Sequence, residues 1–171
     1  MDNGERYSKP FRVLFVCTGN ICRSPTAEGL FRRTVAQAGL SAQITVDSAG
    51  IDSWHAGESP DPRAIAAARH RSVDISVLRA RQLERVDFIR SDLILAMDRG
   101  HLLAMARAYP RGRTNRLHLF LSFAPHAGAV DIPDPYYGGA EGFERVLDLI
   151  EVGAAGLLTS IRSRLAVAGE D

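Results

Sequence analysis

The sequence predicts an α/β fold, a parallel sheet with helices on both faces. Three observations predict it. Short apolar, β-favouring runs alternate along the chain with stretches of helical periodicity. The first of these runs, Phe11 to Val16, leads through a tight polar loop into a helix-like segment. The length of 171 residues, 46% of them hydrophobic, suffices for one ordinary core and not for two.

Taken in order, FRVLFV is bounded by Pro10 and the turn Thr18-Gly19-Asn20, as a buried strand would be. From Pro25 the chain reads as a helix. Ser24 stands at the expected N-cap and Pro25 in the first turn; Leu30, Phe31, Thr34, Val35 and Ala38 form one face before Gly39 ends it. Ile44 to Val46 is a short strand, Arg63 to Arg71 a helix, Leu93 to Met97 a strand and His101 to Ala108 a helix. Leu117 to Leu121 is the last strand. Glu141 to Leu165 is a long helix with an apolar stripe through Phe143, Val146, Leu147, Ile150 and Leu157. Segment 122–141 has no periodicity and is rich in Pro and Gly, which marks it as a working loop. Residues 1–10 are expected to be a flexible N-terminal segment and residues 11–167 a single domain; the chain from Ala168 onward is expected to fray.

Composition narrows the function. Twenty-one basic residues against 20 acidic ones leave a formal charge of +1, so no broad basic field suits a nucleic-acid backbone. Met1 to Pro10 lacks the apolar core of a signal peptide, and no later run is long enough for a membrane span. A soluble, cytoplasmic chain is expected. Cys17 and Cys22 share one short loop and staple no distant segments, which points to reactive thiols in a reduced compartment. His55, His70, His101, His118 and His126 stand at no recognised ligand spacing from them, so neither a metal nor another cofactor is expected, and the histidines read as surface or packing residues.

The chemistry gathers in the loop Cys17-Thr18-Gly19-Asn20-Ile21-Cys22-Arg23-Ser24. In an open α/β sheet ligands bind beyond the carboxyl ends of the strands, and this loop joins such an end to a helix N-terminus. Its backbone N–H groups can converge on one anion, favoured by the helix dipole. Gly19 and Asn20 best tolerate the positive φ angles a cradle needs. Arg23 follows Cys17 by six positions and closes the loop around a tetrahedral anion with a two-pronged donor. The same surroundings favour the thiolate of Cys17, and Ser24 stands ready to donate to that sulfur. A phosphate ester of a phenol also needs a proton donor. Asp134, in Asp134-Pro135-Tyr136-Tyr137 within the long loop, is the candidate acid and then base.

The string VCTGNICRSPTAE, followed in order by DSAG, WHAG, PDPRA, ARQ, MDR and IPDPYYGG, resembles the low-molecular-weight protein-tyrosine phosphatase family, particularly its bacterial members, over about residues 11–165. The resemblance implies a four-stranded parallel sheet in the order 2-1-3-4. It makes Cys17 the nucleophile that carries a phosphocysteine, Arg23 the phosphate-binding arginine and Asp134 the general acid. It also makes Asn20 the residue that shapes the loop, Ser24 the donor to the thiolate and Ser48 the support of Asn20. Thr18, Gly19, Ile21 and Cys22 complete the substrate-binding loop, and Trp54, Tyr136 and Tyr137 match the aromatic walls of the cleft. One departure is visible: many members carry a histidine near the position of Leu78, so altered surroundings of Asn20 and a less rigid loop are expected.

The implied substrates are phosphotyrosine proteins and small aryl phosphates; the sequence does not name the oligomeric state, and a monomer is the expectation. Three alternatives share the scaffold or the loop. Arsenate reductases relay oxidation through further cysteines, and this chain has only two. Protein-arginine phosphatases carry threonine four residues after the nucleophile, where Ile21 stands. A binding module without catalysis could dispense with Cys17 or Asp134, and both are present. Cys22 is placed to act as a redox guard, capturing oxidised Cys17 as a disulfide.

Overall fold

The computed structural model describes residues 9–109 and 114–168. Residues 1–8 of the expected N-terminal segment, and 169–171 at the other end, lie outside the described residues. Strands β1 (Phe11–Cys17), β2 (Ile44–Gly50), β3 (Leu93–Ala96) and β4 (Leu117–Leu119) form one parallel sheet in the order β2-β1-β3-β4. The predicted fold class and the order implied by resemblance both hold.

Alternation along the strands sorts side chains onto two faces, as the pleat requires. Val13 and Phe15 of β1, with Leu93 and Leu95 of β3, point into the larger core shared with helices α1 (Arg23–Gln37), α2 (Pro62–His70) and α5 (Ala140–Ala168). Phe15 is fully buried there and meets Phe31 and Phe120 edge to face, with centroids 5.8 and 5.1 Å away. Such pairs contribute roughly 0.5–1.5 kcal/mol each beyond burial. Leu14, Val16, Ile94 and Ala96 face the other way, onto Phe88 of α3 (Arg85–Arg90) and Met105 of α4 (Arg99–Ala108).

Several boundaries differ from the sequence reading. Strand β2 runs on to Gly50 because Asp47 and Ser48 pair with Leu14 and Phe15, although their polarity breaks the apolar pattern. Strand β4 stops at Leu119, and Phe120–Phe123 coils into a 3₁₀ turn that delivers Phe120 to the larger core. Helix α3 went unread. It is six residues long, too short for periodicity to announce it, and Glu84 N–H donates to Asp87 Oδ2 at 2.8 Å at its start. Helix α1 begins at Arg23 with Cys22 at the capping position and no side-chain cap, so Ser24 is not the N-cap.

Candidate active site

Strand β1 ends at Cys17 and α1 starts at Arg23, so the loop between them sits at the carboxyl end of the sheet. Its peptide groups are turned by their neighbours. The carbonyls of Cys17 and Thr18 accept from Ile51 and Asp52 N–H, that of Ile21 from Asp61 N–H, and that of Cys22 from the Thr26 hydroxyl at 2.6 Å. The N–H groups of Gly19, Asn20, Ile21 and Cys22 donate to no other protein group among the described residues. With the carbonyls anchored outward and the helix N-terminus behind, the loop is built to receive an anion.

Asn20 takes the positive φ the loop requires, 58°, whereas Gly19 is not in the left-handed region. Glycine is needed at position 19 for space, since a Cβ there would lie 2.9 Å from the ring of His55. The Asn20 amide is used at both ends: Oδ1 accepts from Arg81 N–H at 3.0 Å, and Nδ2 donates to Ser24 Oγ at 2.8 Å and Ser48 Oγ at 2.9 Å. Ser48 passes its own hydrogen to Glu28, whose other oxygen meets Arg32 at 2.6 Å. Burial pushes the Glu28 carboxyl up, opposed by the Ser48 hydrogen bond and the Arg32 charge. Ser24 receives from Asn20, so its one hydrogen is left for the acceptors around it, Cys17 Sγ at 2.9 Å and the more distant Ala49 carbonyl at 3.4 Å. Leu78 packs against the large core, and the amide of Asn20 finds its partners in Arg81, Ser24 and Ser48.

Arg23 is 4% exposed and held from behind. Its Nη1 donates to Asp98 Oδ2 at 2.7 Å and to the Ile132 carbonyl at 3.0 Å, while Nη2 lies 3.6 Å from Asp134 Oδ2. Asp98 caps α4 by accepting from His101 N–H at 2.9 Å. Burial works to raise the Asp98 carboxyl, yet that hydrogen bond with the charges of His101 and Arg23 outweighs it and leaves it below the ordinary range. His101 is buried, which excludes the surface half of its sequence reading, and its ring meets Thr18 of the loop as well as packing. Desolvation first and Arg23 second lower it to about 4, so the ring is neutral near pH 7. Asp98 Oδ1 lies 3.1 Å from Nδ1, off the line of a good hydrogen bond, and favours the proton there. Thr18 Oγ1 therefore donates to Nε2, at 2.8 Å.

Cys17, Thr18, Gly19, Ile21, Cys22, Arg23, Trp54, Asp134, Tyr136 and Tyr137 line one cleft of about 370 Å³. Asp52 and His55 join them, the His55 Nδ1 resting 2.7 Å from Glu58 Oε2. Trp54 is 85% exposed and Tyr137 93%, so neither is a core residue. Of the anticipated residues, Asn20, Ser24 and Ser48 stand just behind this wall, bonded to one another. Asp98, His101 and Glu28 were missed. Asp98 had a legible signal: an acidic residue two positions beyond β3, a strand adjacent to β1, falls at the same end of the sheet.

An anion cradle with a thiol at its base suits phosphatases that work through a cysteine, and comparison with known proteins leads to that class. The chain matches the family described as low molecular weight phosphotyrosine protein phosphatase over residues 12–167. It is 44% identical over 158 residues to a low molecular weight protein-tyrosine-phosphatase of Streptomyces coelicolor, covering 91% of this chain and 96% of the relative. The crystal structure of YfkJ from Bacillus subtilis superimposes with a TM-score of 0.87 at 36% identity, covering 92% of this chain and 98% of that one. A protein tyrosine phosphatase from Entamoeba histolytica, with Hepes in the active site, also gives 0.87, at 31% identity over 90% and 97%. The chain belongs to the low molecular weight phosphotyrosine protein phosphatase family.

Proposed function

We propose that the protein hydrolyses phosphotyrosine in protein substrates, and small aryl phosphates, through a phosphocysteine on Cys17. The observation that carries this reading is the thiol of Cys17 at the loop's base, within reach of Ser24, in one cleft with Arg23 and Asp134. Cys17 Sγ attacks phosphorus, the S–P bond forms and the bond to the tyrosyl oxygen breaks. The acid form of Asp134 gives its proton to the departing phenolate. Its carboxylate then takes a proton from water, the water oxygen bonds to phosphorus, and the S–P bond opens to return the thiolate to the Ser24 hydroxyl. Arg23 holds two phosphate oxygens throughout, its orientation set by Asp98 and Ile132.

Selectivity follows from the walls. A phosphorylated phenol reaches Cys17 between Trp54 and the tyrosine pair, whereas phosphoserine is too short to gain those contacts. A reducing, cytoplasmic setting suits the two free thiols. Redox sensitivity belongs to the same reading: peroxide takes Cys17 to a sulfenic acid, and the Cys22 thiol displaces water from it to give a disulfide that thiols reduce. Burial first, then the charges of Asp61, Cys17 and Asp134, push the Cys22 thiol up to about 12 in the unoxidised protein, so it is protonated near pH 7.

One panel tests this reading: kcat/KM for matched phosphotyrosine, phosphoserine and phosphoarginine peptides, without metal, in wild type and Cys17→Ser, before and after mild peroxide. Turnover confined to phosphotyrosine, lost in Cys17→Ser and recovered with dithiothreitol is expected. Activity surviving in Cys17→Ser would refute the covalent route, and equal rates on the first two peptides would refute the tyrosine preference.

A further inference from the structure

Two parts of the active site have no covalent neighbourhood in common. The phosphate loop ends at residue 24, and Asp134 lies in the segment leading to α5. A third segment, the start of α2, touches both.

Asp61 caps α2, and its backbone N–H donates to the Ile21 carbonyl of the phosphate loop at 2.8 Å. Its carboxylate is gripped by Arg63: Oδ1 accepts from Arg63 N–H at 2.8 Å and Nε at 3.0 Å, and Oδ2 from Nη2 at 2.8 Å. Arg63 thereby holds the Asp61 carboxyl below its ordinary range. The guanidinium so fixed lies between two rings. Its central carbon is 5.4 Å from the centroid of Tyr136 and 4.9 Å from that of Phe143, in the first turn of α5. Tyr136 in turn donates its backbone N–H to Asp134 Oδ1 at 3.0 Å, which leaves Oδ2 turned towards Arg23. An unbroken path therefore runs from the Ile21 carbonyl through Asp61, Arg63 and Tyr136 to the Asp134 carboxylate.

We propose that Arg63 is a positioning residue that sets Asp134 over the phosphate loop, by clamping the Tyr136 ring to an α2 terminus already tied to Ile21. This rests on the assignment of Asp134 as general acid. Arginine suits the task because a planar guanidinium binds a carboxylate edge-on while stacking on aromatic faces, which the point charge of lysine does not do.

The experiment measures kcat/KM across aryl phosphates from phenyl to 2,4-dinitrophenyl phosphate for wild type, Arg63→Met, Asp61→Asn, Asp134→Asn and Arg63→Met/Asp134→Asn, with thermal melts as folding controls. A misplaced acid hurts most where the leaving group needs its proton. Arg63→Met and Asp61→Asn should lose roughly tenfold on phenyl phosphate and under about twofold on 2,4-dinitrophenyl phosphate. Arg63→Met should add under about twofold once Asp134 is already asparagine. Equal losses across leaving groups, or additive losses in the double variant, would show that Arg63 is only structural and overturn the proposal while sparing the acid. If Asp134→Asn alone showed no leaving-group dependence, the acid assignment itself would fall, and the coupling with it.

Discussion

His101 shows how one side chain ties stability to pH here. Its neutral ring meets the Thr18 hydroxyl at Nε2 and lies beside the Asp98 carboxylate while facing Arg23, with Asp131 and Asp134 also acting on it. The folded ring titrates at about 4 against an ordinary 6.5. Below 6.5 the unfolded chain takes up a proton that the folded one refuses, so the contribution of His101 is complete above that pH and lost as pH falls towards 4. The difference corresponds to about 3 kcal/mol. In urea titrations from pH 7 to 4, wild type should lose about that much more stability than His101→Asn, which keeps a polar group but cannot titrate. Parallel curves would mean that the ring is not held neutral.

At the scale of elements, the phosphate loop takes its shape from the end of β2. A Cβ on Gly50 would come within 2.8 Å of the Thr18 carbonyl oxygen, 3.0 Å of Gly19 C and 3.1 Å of Asn20 N, all backbone atoms. The strand cannot retreat, because Gly50 N–H donates to the Arg81 carbonyl and its own carbonyl accepts from Leu83 N–H, both at 2.8 Å. Gly50→Ala must therefore move the loop. A loss of about 10²-fold in kcat/KM is expected, with a stability cost of roughly 1–3 kcal/mol. Aryl phosphate kinetics and the urea midpoint check both, and wild-type kinetics would show that the loop yields without harm.

Across the whole molecule, α5 closes the larger core and holds the segment that leads to Asp134. Two glycines let it approach. Gly153 faces the Phe120 ring, and a Cβ on Gly156 would overlap the Phe123 carbonyl oxygen. Gly156→Ala should push the helix off this surface and cost about 3 kcal/mol, lowering the midpoint of one cooperative unfolding transition. An unchanged midpoint would mean that α5 seats differently. No described helix is long and apolar enough to cross a membrane, α5 included.

By itself the sequence determined the alternation of strands and helices, and with it the parallel sheet. It also determined the Cys17-to-Ser24 loop, since strand, turn residues, arginine and helix start all lie within one short stretch and each leaves a local mark. The tertiary structure decided what depends on residues distant along the chain. Asp98, 75 positions from Arg23, orients it; Arg81, 61 positions from Asn20, satisfies it; and His101 is drawn into the site from a helix where it looked ordinary. Ser24 is the instructive case. Its sequence position suggested both a helix cap and a partner for the sulfur; the cap is not made, and Asn20 donates to the hydroxyl that lies 2.9 Å from Cys17 Sγ. A hydroxyl has one hydrogen to give, and which acceptor receives it is settled only when the chain has brought the competing partners together.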